Sequence, residues 1–312
     1  MSEYHVDTAL SNFAITEKFN DEDAFVASIV APSMPVKKKS DIYYKFFSDH
    51  LNGDISDLRT PDGFANEITW SYNTANFSTV EHALRKFSTQ HELDNADAVV
   101  MVDQRDAMHV KKRLLLGYEK RVAALAKATA NVVTPAYKWD GATTSILADI
   151  VSAKAAMREL IGVDPTHIVM DSLVADKISI TTEIKDIVKY LLASGRINEQ
   201  ESIAALSGSG GALPTILQGC KVVTARSFYN TKNPKQTRSI TRTWGKDVFL
   251  FYIDPSPAVE VATWAKTFMY ENLTFYQFTV PGKRGRYVEG YWTIDEAETL
   301  SGAVVKISNV LS

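Results

Sequence analysis

Two strand-forming runs separated by a long polar stretch constrain this chain more than any other feature. From Ile42 to Phe47, the residues Ile42, Tyr44 and Phe46 share one face of an extended segment. From Glu67 to Asn73, Ile68, Trp70 and Tyr72 share one face, while Glu67, Thr69, Ser71 and Asn73 share the other. Successive side chains of a strand point to opposite faces, so both runs read as half-buried strands. The stretch Ser48 to Ala65 between them is rich in Asp, Asn and Gly and carries Arg59, Pro61 and Gly63. Connections longer than about 12 residues are uncommon inside a compact domain, and two strands alone are marginal in water. The hairpin therefore needs a surface to lie on. Either the rest of this chain supplies it, in an ordinary meander with a long loop, or a neighbouring subunit does. The residues by themselves fit both.

The 312 residues hold one large domain or two modest ones. Hydrophobic residues at 45% suffice for a real core. A net charge of −3 argues against a dedicated nucleic-acid binder, which carries a basic excess. The single cysteine, Cys220, excludes an internal disulfide and a thiolate metal cluster. It precedes Lys221, Val222 and Val223 and reads as the small apolar start of a buried strand. The first 25 residues lack the basic-then-apolar order of a signal peptide, and no apolar run approaches a membrane span. The expectation is a soluble, unexported chain.

Residues 1–24 are polar with scattered Leu10, Phe13, Ile15 and Phe19, which suggests an extended arm ordered only by neighbouring subunits. Residues 98–128 read as a long helix with an apolar stripe of Val110, Leu114, Tyr118, Val122 and Leu125. Lys111, Lys112, Glu119, Lys120 and Lys127 fall on its other faces, and the cations there could pair with Asp103, Asp106 and Glu119. Gly117 weakens that helix by roughly 1 kcal/mol and predicts a bend or a close contact. Asn131 to Gly141 reads as a linker. Thr144 or Ser145 then caps a helix striped by Ile146, Ile150, Val151, Met157 and Leu160 and closed by Gly162. A strand at His167 to Met170 follows, and Asp171 caps another helix. Further strands are expected near Cys220–Arg226, Arg238–Thr243 and Val248–Ile253, and most of Thr263 to Val310 is strand-like. The order of helices and strands is that of an α+β fold.

Catalytic patterns are weak. The Gly-rich run Ser207 to Gly211 lacks the Lys-Ser/Thr or strand–helix context of a phosphate loop. The six histidines have no helical metal-ligand spacing, and no G-x-S-x-G elbow exists. No cofactor or metal is expected. A small enzyme or ligand-binding module using Ser207–Gly211 is the alternative to a structural protein.

The run FVASIVAPSMPVKKKSDIYYKF, with Pro32, Pro35, Val36, Lys37 to Lys39, Ser40, Tyr43 and Tyr44, resembles the opening of tailed-bacteriophage major capsid proteins. Further runs resemble that family in the family's order. NADAVVMVDQRDAMHVKKRLLLGYEKRVAALA is similar to the long spine helix and its lead. SILADIVSAKAAMRELIGVDPTHIVMD is similar to a helix–turn–strand, and VVTARSFYNT and WGKDVFLFYIDPSP to later strands.

The resemblance implies a Hong Kong 97-type fold. Residues 1–40 would be an N-terminal arm, 41–77 an extended hairpin loop, and 78–143 a peripheral domain with the spine helix. Residues 144–262 would be an axial domain and 263–312 strands returning to the body. It implies self-assembly into hexamers and pentamers of an icosahedral head around double-stranded DNA, in the virion, after assembly in the host cytoplasm. A separate scaffolding protein, a portal and a decoration protein would be partners. Phe46, Arg59, Trp70 and Tyr72 would contribute to subunit contacts, and Lys111, Lys112 and Lys120 could face DNA. Some relatives join subunits by a Lys–Asn isopeptide bond. Here Lys45 lies at the hairpin base and Ser48 to Ala65 holds no lysine, so no cross-link is expected.

Overall fold

The structure is a computed structural model that describes residues 7–18, 24–47, 57–59, 63–65, 72–96, 101–141, 143–186, 216–232, 236–256, 258 and 260–312. Its helices are α1 (Thr8–Thr16), α2 (Ala27–Val30), α3 (Gln90–Asp94), α4 (Val102–Thr129), α5 (Ile146–Ile161) and α6 (Ser172–Ser179). Its strands are β1 (Ser33–Pro35), β2 (Ser40–Phe46), β3 (Tyr72–Ser78), β4 (Val80–Thr89), β5 (Asn131–Val133), β6 (His167–Asp171), β7 (Ile216–Leu217), β8 (Cys220–Ala225), β9 (Phe228–Asn230), β10 (Ile240–Arg242), β11 (Val248–Phe251), β12 (Ala265–Phe278), β13 (Gly285–Glu298) and β14 (Val304–Ile307).

A six-stranded sheet runs β5-β14-β11-β6-β8-β7, with β14–β5 and β6–β8 parallel. Strands buried on both faces carry unbroken apolar runs, and Val248 to Phe251 are all fully buried at the sheet centre. A four-stranded sheet runs β1-β12-β13-β4, built on the two 14-residue strands β12 and β13. The pairs β2–β3 and β9–β10 form separate ribbons.

The long helix has the expected stripe. Val110, Leu114, Tyr118 and Val122 are buried and Leu125 packs against the same core. It continues through Gly117, where an added Cβ would meet the tip of the Arg121 side chain at 3.6 Å, an ordinary separation and not the close contact expected.

α5 buries Ile146, Ile150, Ala153, Met157 and Ile161 and ends at Gly162 with φ 71°. Val151 and Leu160, expected in its stripe, face outward. Its cap is remote. The Glu183 carboxylate accepts from the amides of Ile146 and Leu147 at 3.1 and 3.0 Å, while the Ser145 hydroxyl turns to Asp149. Asp171 caps α6 as expected, accepting from Leu173 N–H at 2.9 Å. Cys220 is buried at the start of β8.

The stretch read as a linker, Asn131 to Gly141, is part of the body. Its first residues form β5, and Trp139 is fully buried with its indole N–H on Asp149 at 2.8 Å. One aromatic with a buried partner outweighs the flexibility of the surrounding Pro and Gly. Losing that indole donor leaves the buried Asp149 oxygen with the Ser145 hydroxyl as its remaining side-chain donor and opens a gap where the larger ring sat. Trp139→Phe should lower stability by about 1–3 kcal/mol, read as a shifted denaturation midpoint with an unchanged slope.

β2 pairs with β3 from Ser40↔Ser78 to Phe46↔Tyr72, so the described return strand shares Tyr72 and Asn73 with the expected Glu67–Asn73 segment and runs on to Ser78. Residues 66–71, including Trp70, lie outside the described residues. The buried face of β2 also differs. Tyr43 joins Met34, Phe77 and Phe268 in a small cluster, with Phe77 stacked on Phe268 at 4.4 Å. Ile42 and Tyr44 are exposed.

The N-terminal segment departs most from expectation. Instead of awaiting a neighbour, α1 docks on its own chain. Leu10 and Ala14, one turn apart, are buried. Ser11 exchanges hydrogen bonds with the backbone of Phe275, donating through Oγ at 3.0 Å and accepting its N–H at 2.9 Å. Few apolar residues suffice because they sit on one face and the polar one finds a strand backbone.

Candidate functional site

Two regions hold the candidate functional residues: the anchorage of residues 24–31 on α4, and the exposed residues of the hairpin loop and of the outward face of α4.

The anchorage is built on Glu119. Its position on a polar face reads as solvated, yet it is fully buried. One carboxylate oxygen accepts from the amides of Val26 and Ala27 at 3.0 and 2.7 Å, and the other accepts from the Trp244 indole at 2.6 Å. Burial pushes the carboxyl up to about 7, against the pull of these donors. Tyr118 supports the same segment, donating to Ala31 O at 2.9 Å and meeting Thr267 Oγ1 at 2.7 Å. Its hydroxyl is held well above the usual tyrosine range by burial. No local signal marks Glu119, because its partners lie 92, 93 and 125 residues away.

The α4 carboxylates Asp103 and Asp106 pair mainly with cations of other elements. Asp103 pairs with Arg286 at 2.5 Å, and Asp106 with Lys86 at 2.5 Å and with Arg105 at 3.3 Å. Arg121 grips Glu296 through both Nε and Nη2. Lys111, expected to face DNA, is buried and donates to Glu17 O at 3.0 Å, holding the end of α1. Its aliphatic stem covers apolar surface while its ammonium reaches a carbonyl. Lys112 and Lys120 are exposed, and the Lys120 ammonium sits 4.7 Å from the Tyr229 ring centre.

Of the expected contact residues, Phe46 is buried in its own chain at 3% exposure, with its N–H on Thr299 O at 2.7 Å. Almost none of its side chain is left for a neighbour, because β2 turns Phe46 toward the central core. Tyr72 opens β3 opposite Phe46. Arg59 donates to Gly63 O at 2.6 Å, pinching the loop tip. The residues beside that pinch were not singled out in the sequence: Leu58 is 83% exposed and Phe64 99% exposed. Lys45 is engaged with Glu298 at 2.7 Å. The Gly-rich run Ser207–Gly211 lies outside the described residues. Among the described residues no group of three His, Cys, Asp or Glu could hold a metal ion, and no helix is long and apolar enough to cross a membrane.

No family model matches the sequence, and no curated protein matches it. Solved structures do match in fold. A phage-related protein from Bordetella bronchiseptica RB50 is 18% identical, covers 98% of both chains and has a TM-score of 0.70. The capsid protein of cyanophage P-SCSP1u is 11% identical over 93% of this chain and 91% of that one, with a TM-score of 0.60. The mature capsid of bacteriophage PhiM1 gives 8% identity, 98% and 90% coverage and a TM-score of 0.53. The chain therefore has the α+β, Hong Kong 97-type fold of phage capsid proteins, across nearly its whole length.

Proposed function

We propose that this chain is the major head protein of a tailed phage, a structural and non-enzymatic subunit. It joins copies of itself into hexamers and pentamers of an icosahedral shell around double-stranded DNA. The observation that carries the reading is the match of nearly the entire chain to capsid subunits. Surface area supports it. The chain exposes 18082 Å², whereas a compact monomer of its mass exposes about 13,000 Å². Leu58 and Phe64 add large apolar side chains in open solvent, the kind of surface that a neighbouring copy covers.

In this proposal residues 1–40, 41–77, 78–143, 144–262 and 263–312 act as arm, hairpin loop, peripheral domain, axial domain and returning strands. Arg59, Trp70 and Tyr72 belong to the subunit contact. A separate scaffolding protein, a portal and a decoration protein complete the particle, which assembles in the host cytoplasm. Lys112, exposed on α4, carries the weak phosphate contact proposed for the inner surface.

Expression of the full chain, followed by sedimentation and negative-stain microscopy, tests the reading. Capsomers or closed shells are expected, and a compact, stable monomer at every concentration would overturn it. Boiling those particles in detergent should give one band at 34.6 kDa. A ladder of covalent oligomers would show that a lysine outside the loop forms a cross-link.

A further inference from the structure

Glu119 joins stretches of chain that are far apart in sequence, and the use of its lone pairs singles out one further group. Its Oε2 accepts from both Val26 and Ala27, so the lone pairs there are filled. Its Oε1 accepts from Trp244 and has one position left. A proton held by this carboxyl therefore sits on Oε1 and needs an acceptor. The Ser227 hydroxyl lies beside the carboxyl. It is buried, and among the described residues no group meets it in regular hydrogen-bonding geometry. A hydroxyl can serve either state, accepting from an acid and donating to a carboxylate.

The N–H donors on Glu119 are neutral, two amides and an indole, and a buried charge without a cation is costly. The surrounding elements commit their charges elsewhere. Residues 24–31 carry none, and Asp21, Glu22 and Asp23 before them lie outside the described residues. Arg226 and Lys246, close in sequence to Ser227 and Trp244, are exposed, and Lys246 donates to Ser312 O. On α4, Arg121 is bound to Glu296 and Lys120 lies over the Tyr229 ring. On β12, Lys266 donates to Val261 O.

The fastening of residues 24–31 is uneven. Ala24 O accepts from Arg226 N–H at 3.0 Å, and Ala31 O accepts from Tyr118 and Thr267 Oγ1 at 2.9 and 3.0 Å. Between these tied ends, the amides of Val26 and Ala27 rest on Glu119. A change at the carboxyl thus acts on the middle of the segment first.

We propose that Glu119 and Ser227 form a proton-operated latch on residues 24–31. With the proton on Glu119 Oε1 and donated to Ser227 Oγ, every N–H donor keeps its acceptor and the segment is closed. Transfer of that proton to solvent leaves a buried anion. The Ser227 hydroxyl turns round to donate, and the segment parts from α4 to admit water. Burial pushes this carboxyl up to about 7, so the latch is closed below that pH and loosened above it. It lies within one chain and does not rest on the shell reading.

The test records infrared difference spectra, wild type minus Glu119→Gln, on the full chain as pH is raised. Hydrogen exchange at Val26 and Ala27 is followed in parallel, corrected for its intrinsic pH dependence. A protonated-carboxyl band is expected below pH about 7, fading above it together with the protection of those two amides. Ser227→Ala removes an acceptor from the acid and a stronger, charge-assisted donor from the anion. Its midpoint should rise by about one pH unit, and its carboxyl band should move to higher frequency because the acid O–H has lost its partner. No such band in the wild type between pH 4.5 and about 7, or amide protection that does not follow the band, overturns the proposal. So does a Ser227→Ala chain with the wild-type midpoint and band. If Ser227→Ala does not fold, the wild-type band and its tie to the two amides still decide.

Discussion

Replacing Glu119 with glutamine is expected to destabilise the subunit by about 2–4 kcal/mol and to loosen residues 24–31 from α4. The carboxylate accepts three N–H donors, from Val26, Ala27 and Trp244. An amide keeps one acceptor oxygen and turns its NH₂ group on a donor. If the oxygen stays with Val26 and Ala27, the new N–H₂ confronts the Trp244 indole. If it turns to Trp244, two backbone amides lose their partner. Hydrogen exchange at Val26 and Ala27 should therefore quicken beyond the change seen in the remainder of the core, and uniform exchange would sink the idea. The pH dependence is also specified. Burial pushes this carboxyl up to about 7 from an ordinary 4.5, so between those values the folded chain holds a proton that the unfolded chain has released. Its contribution is fully present below about 4.5 and is lost as pH rises through about 7. Glu119→Gln should flatten that slope, which urea titrations at several pH values would show.

Gly285→Ala is expected to cost about 3 kcal/mol or more, roughly a 5 °C fall in Tm. Gly285 opens β13 with φ 141°, in a region that side chains disfavour. A Cβ there would lie 2.3 Å from Ser88 O and 2.8 Å from the Phe87 ring. The obstacle is backbone and cannot rotate away. Ser88 also holds Asp106 of α4 through its hydroxyl, so the strand shift would reach the helix. Gly282→Ala, at φ 85° with nothing within 4 Å, carries only the conformational cost and should lose about 1 kcal/mol. Equal losses at the two positions would show that the Ser88 contact is relieved elsewhere.

What the sequence displays is the part of the fold written in local spacing. The stripe of α4, the closure of α5 at Gly162, the Asp171 cap and the β8 and β11 strands depend on neighbours within a few residues, and each is found in place. What it hides is written across the chain. Glu119 and Lys111 look like solvated charges because nothing nearby announces Trp244 or Glu17. α5 is capped by Glu183 instead of its own Ser145 for the same reason. β3 lacks the bulky alternation that marks a strand. Its Asn73, Thr74, Ala75 and Asn76 pair with β2 because Phe77 is fixed on Phe268. At the loop, the strong aromatic alternation at Trp70 draws attention from Leu58 and Phe64, whose significance lies in exposure, a property no spacing reveals.

The placement of β14 has a consequence for the timing of synthesis. It lies inside the six-stranded sheet, between β5 and β11, although it is made last of the six. Until Val304 to Ile307 leave the ribosome, β5 has no partner in this sheet and β11 lacks one of its two neighbours. Pairings between distant segments also form slowly. A growing chain thus cannot complete this sheet early, and a truncated one is left with a gap in the middle of its body. The last-made strand is thus the one that joins β5 to the rest of the sheet.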